Sequence, residues 1–266
     1  MLKTIKSLFG SRPEPVLPAV PRGERIYAVG DIHGRLDLMV ALAEAIEADD
    51  RKRGPADTTV ILLGDLVDRG PDSAGVIKAA GLWAKQRSVR FIAGNHEEMF
   101  LESFDNVETL RHFLKYGGKE TILSYPIDPM AYFAAELDEL QELMADAVPA
   151  EDLEFLRAFE DTIVKGDYLF VHAGIQPGVP IGDQRTSHLR WIREPFLSHA
   201  GKHSHVVVHG HTIMAEPEVL SNRIGIDTGA YDSGRLTALG LEGSARWFIE
   251  TRDDGGAIST ATRSAA

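Results

Sequence analysis

Five short stretches of this chain place Asp, His or Asn directly behind an apolar run. They are Gly30-Asp31-Ile32-His33-Gly34, Gly64-Asp65-Leu66-Val67-Asp68-Arg69-Gly70, Gly94-Asn95-His96-Glu97, Val171-His172-Ala173-Gly174 and His209-Gly210-His211-Thr212. Together they offer carboxylates, imidazoles and an amide, with no thiol anywhere in the chain. Such a donor set suits divalent metals of hard to intermediate character: manganese, iron, cobalt, nickel or zinc. These donors outnumber what one catalytic ion with open positions needs, and they suit two ions that share a bridging carboxylate. Two such ions clamp the attacking and leaving oxygens of an in-line displacement at phosphorus. A water between two cations loses a proton readily, so a metal-bridging hydroxide serves as nucleophile without any side-chain nucleophile.

The elements that must position these groups are legible as alternating patterns. Apolar runs at 26–29, 58–63 and 89–92 end in the first three boxes. Helical spacing follows at 36–48, through Leu36, Met39, Val40, Ala43 and Ile46, and again from Asp72, through Val76, Ile77, Ala80 and Trp83. Three strand–loop–helix units favour a largely parallel, buried sheet, whose strand ends converge on one crevice. Residues 97–161 read as helical and acidic, broken at Gly117-Gly118 and around Pro126–Pro129, and are expected to form a helical cap beside the sheet. Strands return at 168–171, 205–208, 223–226, 235–241 and 245–250, and the close spacing of the last ones suggests antiparallel pairing. The fold class expected is α/β with a helical insertion.

With these boxes the sequence resembles the calcineurin-like metallophosphoesterases, and within them the phosphoprotein phosphatase branch of serine/threonine phosphatases. The resemblance runs from about residue 26 to 230, through GDIHG, GDLVDRG, GNHE, VHAG, LRWIR, HGHT and GIDTGA in that order. It implies a layered β-sandwich flanked by helices. It also implies that Asp31 and His33 hold one metal, that Asp65 bridges both, and that Asn95, His172 and His211 hold the second. His96 matches the general acid that protonates the leaving oxygen, and Asp68 the carboxylate that orients it. Arg69 and Arg193 match the arginines that grip the phosphoryl oxygens, a task suited to a planar, permanently charged guanidinium. The implied cofactors are two divalent metal ions, manganese first, then iron, zinc, cobalt or nickel. The bacteriophage lambda phosphatase, a member of that family, has arginine just before its GNHE box, where this chain has Ala93. The phosphate grip is therefore expected to be weaker or completed by another group such as Arg190.

The activity expected is phosphomonoester hydrolysis on phosphoserine or phosphothreonine in proteins. The alternative is a symmetrical dinucleoside-tetraphosphate hydrolase, and a non-catalytic metal-binding scaffold is less favoured because His96, Asp68, Arg69 and Arg193 are all present. The segment 174–190 has few aromatic residues to stack a base, which favours the phosphoprotein. Asp227 and His209 are read as groups beside the site, and His112, His188, His199, His203 and His205 as surface or loop residues. Trp191 either stacks on a substrate ring or packs beneath the site.

Composition bounds the rest. The absence of cysteine excludes disulfides, thiolate metal sites and cysteine nucleophiles, and fits a reducing, cytoplasmic setting. The formal charge of -12 and the lack of a basic stripe argue against stable nucleic-acid binding. No stretch reaches the roughly 20 apolar residues of a membrane-spanning helix. Residues 1–24 read as a flexible leader with a proline-rich linker at Pro13, Pro15, Pro18 and Pro21, residues 25–252 as a single catalytic domain, and residues 253–266 as a disordered tail.

Overall fold

A computed structural model describes residues 17–265, so most of the leader lies outside the described residues. In chain order the elements are β1 (Glu24–Val29), α1 (Leu36–Arg53), β2 (Asp57–Leu62), α2 (Ser73–Ala84), β3 (Val89–Phe91), α3 (Asn95–Glu102), α4 (Val107–Phe113), α5 (Lys119–Ser124), α6 (Pro129–Ala134), α7 (Leu137–Ala147), α8 (Ala150–Arg157), β4 (Thr162–Lys165) and β5 (Tyr168–Val171). They continue with α9 (Thr186–Trp191), β6 (Val206–His209), β7 (Glu218–Val219), β8 (Arg223–Gly225), α10 (Ala230–Ser233), β9 (Arg235–Glu242), β10 (Ala245–Asp253) and β11 (Ile258–Ser264).

Two sheets face each other. One runs β11-β10-β9-β1-β2-β3 and the other β4-β5-β6-β8-β7. The β1, β2 and β3 pairings are parallel, as the alternating pattern predicts, while β9 joins β1 antiparallel. The first sheet is therefore mixed rather than wholly parallel. Alternation along the strands builds three apolar layers. Ile26 and Ala28 of β1 point between the sheets, where Tyr168 and Phe170 of β5 meet them. Tyr27 and Val29 point the other way, onto Leu38, Leu42 and Val76 beneath the helices. Leu169 and Val171 of β5 face outward onto Leu189, Ile192 and Phe196. The result is a β-sandwich with helices on both outer faces, the α/β architecture expected.

Helices α3 to α8 form the expected helical segment. The Gly117-Gly118 break is real: Tyr116 and Gly117 leave helical geometry there, with Gly117 at φ 107°. Two boundaries differ from expectation. The tail is not disordered at 258–264, because β11 pairs antiparallel with β10 from Ile258 to Ser264. Its side chains are all exposed, so backbone pairing rather than burial holds it, and its polar sequence gives no apolar alternation to read. The last part of the proline-rich stretch is pinned rather than flexible. Val20 is buried between the sheets, its N–H donates to Gly243 O, and Tyr168 Oη donates to Pro18 O at 3.1 Å. Among the described residues no helix is long and apolar enough to cross a membrane.

Candidate active site

The five boxes converge at one end of the sandwich. Asp31 and His33 follow β1, Asp65 follows β2, Asn95 and His96 open α3 after β3, His172 follows β5, and His211 follows β6. All six expected ligand side chains are buried. Asp65 sits at the centre: its Oδ2 lies 3.6 Å from His33 Nε2 and its Oδ1 3.4 Å from His172 Nε2. Asn95 Oδ1 lies 3.0 Å from His172 Nε2 and 2.8 Å from His211 Nδ1. The His211 N–H donates to Asp31 Oδ2 at 3.0 Å. Two groups of donor atoms are close enough to hold a metal ion, His33–Asp65–His96 and Asp65–His172–His211, and Asp65 belongs to both.

Holding these groups together requires unusual backbone. His33, Asp65, Asp68, Arg69 and His211 have positive φ, and among the described residues no other non-glycine does. Such conformations cost of order 1–3 kcal/mol each and persist only where surrounding contacts over-determine them. Glu97 supplies much of that support, and sequence reasoning gave it no role. Its fully buried carboxylate accepts from the N–H groups of Asp65 at 2.8 Å, Leu66 at 2.7 Å and Gly94 at 2.9 Å. The available signal was its place three residues into α3, where a glutamate reaches back to the helix start. Gly94 and Gly210 permit the close approach: a Cβ on the first would overlap Asp65 Oδ1, and on the second Asp31 Oδ1.

The donor set fits divalent cations. His33 Nδ1 donates to Val67 O and His172 Nδ1 to Leu63 O, each at 2.8 Å. A carbonyl only accepts, so each Nδ1 carries the proton and each Nε2 turns a lone pair toward the Asp65 carboxylate. Lone pairs facing a carboxylate at this range need positive charge between them. Burial lowers the His172 pKa, but Asp65 and Asp31 outweigh it and raise it to about 10. A proton thus takes the place a metal ion would compete for. Burial, then His172, lower His211 to about 2, and burial holds His33 well below its usual value, so both stay neutral donors. Burial and Asp31's neighbour Asp227 push Asp31 up, and Asp227 itself, driven by burial, rises to about 6. The cluster is short of positive charge.

Beside this cradle lies a cleft of about 380 Å³ lined by Asp65, Arg69, His96, Arg193 and His211, with His112, Tyr116, Trp191 and Tyr231 along its walls. His96 Nδ1 contacts Asp68 Oδ2 at 2.5 Å and its Nε2 accepts from Arg69 Nη2 at 2.9 Å, since a guanidinium only donates. Burial lowers the His96 pKa, but Asp65 and Asp68 prevail and raise it, while a proton on Nε2 requires the Arg69 N–H to turn away. The Arg69 guanidinium lies 4.7 Å over the Tyr231 ring. Arg193 is exposed and reaches His211 O at 3.4 Å.

Arg190 does not replace the arginine missing at Ala93: it is bound by Glu98 at 2.9 Å and Asp161 at 2.7 Å, away from the cleft lining. His112 is exposed, as expected, and it also stands on the cleft wall with its ring 4.6 Å from Tyr116. His209 packs against Phe196 at 5.1 Å rather than in either donor group. Trp191 packs against the apolar core and lines the cleft, and its Nε1 donates to Glu98 at 3.1 Å.

A β-sandwich whose strand ends gather Asp, His and Asn around a shared carboxylate is the layout of a metallophosphoesterase. Residues 24–237 match the family model described as calcineurin-like phosphoesterase, and the chain belongs to that family. It is 26% identical over 233 residues to an asymmetrical bis(5'-nucleosyl)-tetraphosphatase PrpE of Bacillus velezensis, covering 79% of this chain and 86% of that one. It is 36% identical over 85 residues to a symmetrical bis(5'-nucleosyl)-tetraphosphatase of Pseudomonas putida, covering 32% of this chain and 27% of that one. Its fold is similar to that of a cold-active protein tyrosine phosphatase, with TM-score 0.59 and 18% identity over 91% of this chain and 81% of that one.

Proposed function

We propose that this chain is a two-metal hydrolase of phosphoric esters and anhydrides whose substrates carry an aromatic group, with dinucleoside tetraphosphates the best fit. Asp31 and His33 would hold one divalent ion, Asn95, His172 and His211 the other, and Asp65 both, manganese being the first candidate. When bound, the ions supply positive charge to phosphoryl oxygens and acidify a water. The side chains divide the remaining work. Arg69 and Arg193 bind the phosphoryl oxygens in two-pronged contacts. With Arg69 turned from His96 onto a phosphoryl oxygen, His96 can carry a proton on Nε2 and give it to the departing oxygen, and Asp68 holds the opposite nitrogen so that the ring stays aimed.

The observation that carries the substrate reading is the aromatic wall. His112, Tyr116 and Tyr231 stand around the two arginines, within reach of a base attached to the phosphate chain. The sequence favoured a phosphoprotein because the segment 174–190 is poor in aromatic residues, but these rings come from α4, the following turn and α10. The names of the curated relatives support the same choice. The serine/threonine phosphatase is the second reading, favoured by the exposure of Arg193 at the cleft mouth, where a phosphorylated side chain of a protein can enter.

Side-by-side kcat/KM values for diadenosine tetraphosphate, a phosphothreonine peptide and p-nitrophenyl phosphate test this. Tyr116→Ala is expected to raise KM for the dinucleotide about tenfold, the value of one stacked base, and to raise it far less for the peptide. A phosphopeptide preferred by the wild type and indifferent to Tyr116 would replace the first reading with the second.

A further inference from the structure

Asp68 is where the strand-end loops and the helical insertion touch. Its Oδ2 is taken by His96 Nδ1, and its Oδ1 accepts from the Thr121 hydroxyl at 2.6 Å. Thr121 belongs to α5, 53 residues further along the chain. The Thr121 oxygen accepts from the Asp68 N–H at 2.8 Å and lies 2.8 Å from Ser73 Oγ, which itself accepts from that N–H at 3.0 Å. Asp68, Ser73 and Thr121 are all fully buried.

Elementary donor counting fixes the direction of every bond. A carboxylate accepts only, so Thr121 donates to Asp68. A hydroxyl has one hydrogen, so the Ser73 hydroxyl must donate to Thr121. The chain of donation runs from Ser73 to Thr121 to Asp68, and Asp68 meets His96 with its other oxygen. Asp68 also needs support for its backbone, since it and Arg69 have φ of 74° and 69° in succession. The insertion gives that support twice, through the Thr121 oxygen on the Asp68 N–H and through Gly117 O, which accepts from the Arg69 N–H at 3.0 Å.

We propose that Thr121 is a positioning residue: its hydroxyl fixes the Asp68 carboxylate in the orientation that aims His96 at the leaving oxygen, so the insertion governs leaving-group protonation. This rests on reading His96 as the proton donor. A leaving group of high pKa needs a proton in the transition state, whereas p-nitrophenolate departs without one. Loss of the hydroxyl should therefore slow the first kind of substrate selectively.

The test uses the full-length, metal-loaded protein with phenyl phosphate and p-nitrophenyl phosphate. Thr121→Val is expected to lower kcat on phenyl phosphate about tenfold, the worth of one hydrogen bond to a charged group, with a far smaller change on p-nitrophenyl phosphate. Thr121→Ser, which keeps the hydroxyl, is expected to restore both rates. In the metal-free protein, the proton NMR resonance of His96 Nδ1–H should move upfield in Thr121→Val and return in Thr121→Ser. Equal slowing of the two substrates, no rescue by serine, or an unmoved resonance would overturn the proposal. Ser73→Ala serves if the valine variant folds poorly: the same selective slowing, smaller in size, is expected, and its absence counts against Thr121. His96→Asn separates the two layers of the argument. If it discriminates between the substrates and Thr121→Val does not, only the positioning role falls. If His96→Asn does not discriminate, the proton-donor reading falls and takes this proposal with it.

Discussion

The cradle around Asp65 and the wall formed by α4, α5 and the turn between them face the same cleft, yet they are built in opposite ways. In the cradle each donor sits at the end of a strand, and the buried sheet fixes where it points. Of the five positive-φ residues, Asp65 and His211 are held by the Glu97 and Asp31 carboxylates and His33 by the Asp65 carbonyl, while the Asp68 and Arg69 N–H groups lean on Thr121 and Gly117 of the wall. The wall is exposed at His112 and Tyr116 and takes part in the site through a few contacts only, chiefly Thr121 with Asp68 and Gly117 with Arg69. On the proposed function the difference is a division of labour: the cradle would handle any phosphoryl group, and the wall would decide which substrate is presented and how well its leaving group is protonated.

Breaking the cradle should have the largest effect. Asp65→Asn removes the one carboxylate common to both donor groups, and turnover on every phosphoester is expected to fall on the order of 10⁴-fold, the scale of losing metal assistance altogether. Chelation of metal from the wild type should reproduce that loss, with activity returning on addition of manganese. If Asp65→Asn and chelation spared turnover, the cradle would not be the site of chemistry.

Glu97→Gln comes next and probes the backing of the cradle rather than its face. The amide would set an NH₂ against backbone N–H groups that the carboxylate now satisfies. Metal affinity, measured by calorimetry, is expected to weaken about 30-fold, in the range seen when a partner of a ligand is lost. Unchanged affinity would mean that the Asp65 turn holds its shape unaided.

The wall should respond more gently and more selectively. Gly117→Ala places a Cβ 2.6 Å from Arg69 Cγ at a φ of 107°. It should raise KM for all phosphoesters several-fold through Arg69 while leaving bound metal unchanged. Loss of metal instead would show that the wall and cradle form one unit. The smallest effect is expected from Arg190→Ala, because Glu98 and Asp161 already occupy that guanidinium. Its KM for p-nitrophenyl phosphate should stay within about twofold of wild type, as for a surface group outside the site; a tenfold rise would restore Arg190 to the phosphate grip.

The same division explains what was legible in the sequence. The cradle was readable because each donor is tied to its strand by local sequence: a glycine, then Asp or Asn, directly after an apolar run. Strands β1, β2 and β5 were readable for the same reason, since burial on both faces leaves a continuous apolar stretch. Gly117 was read as a helix break, but its contact with Arg69 and that of Thr121 with Asp68 were invisible because the partners lie about fifty residues away. The aromatic wall went unread because His112 and Tyr116 sit on a short, largely exposed helix and turn whose docking onto Arg69 no periodicity reports. Strand β11 escaped because an exposed edge strand needs only backbone pairing, and Ser, Thr and Ala along it read equally well as a tail.

The central claim, that Asp65 is shared by two cations, is tested most directly by a crystal structure of manganese-loaded protein with anomalous scattering collected at the metal edge. Two anomalous peaks, one on each side of the Asp65 carboxylate and bounded by His33 and by His172 with His211, are the predicted result. A single peak, or peaks away from Asp65 in a crystal whose dissolved protein is fully active, would contradict the account.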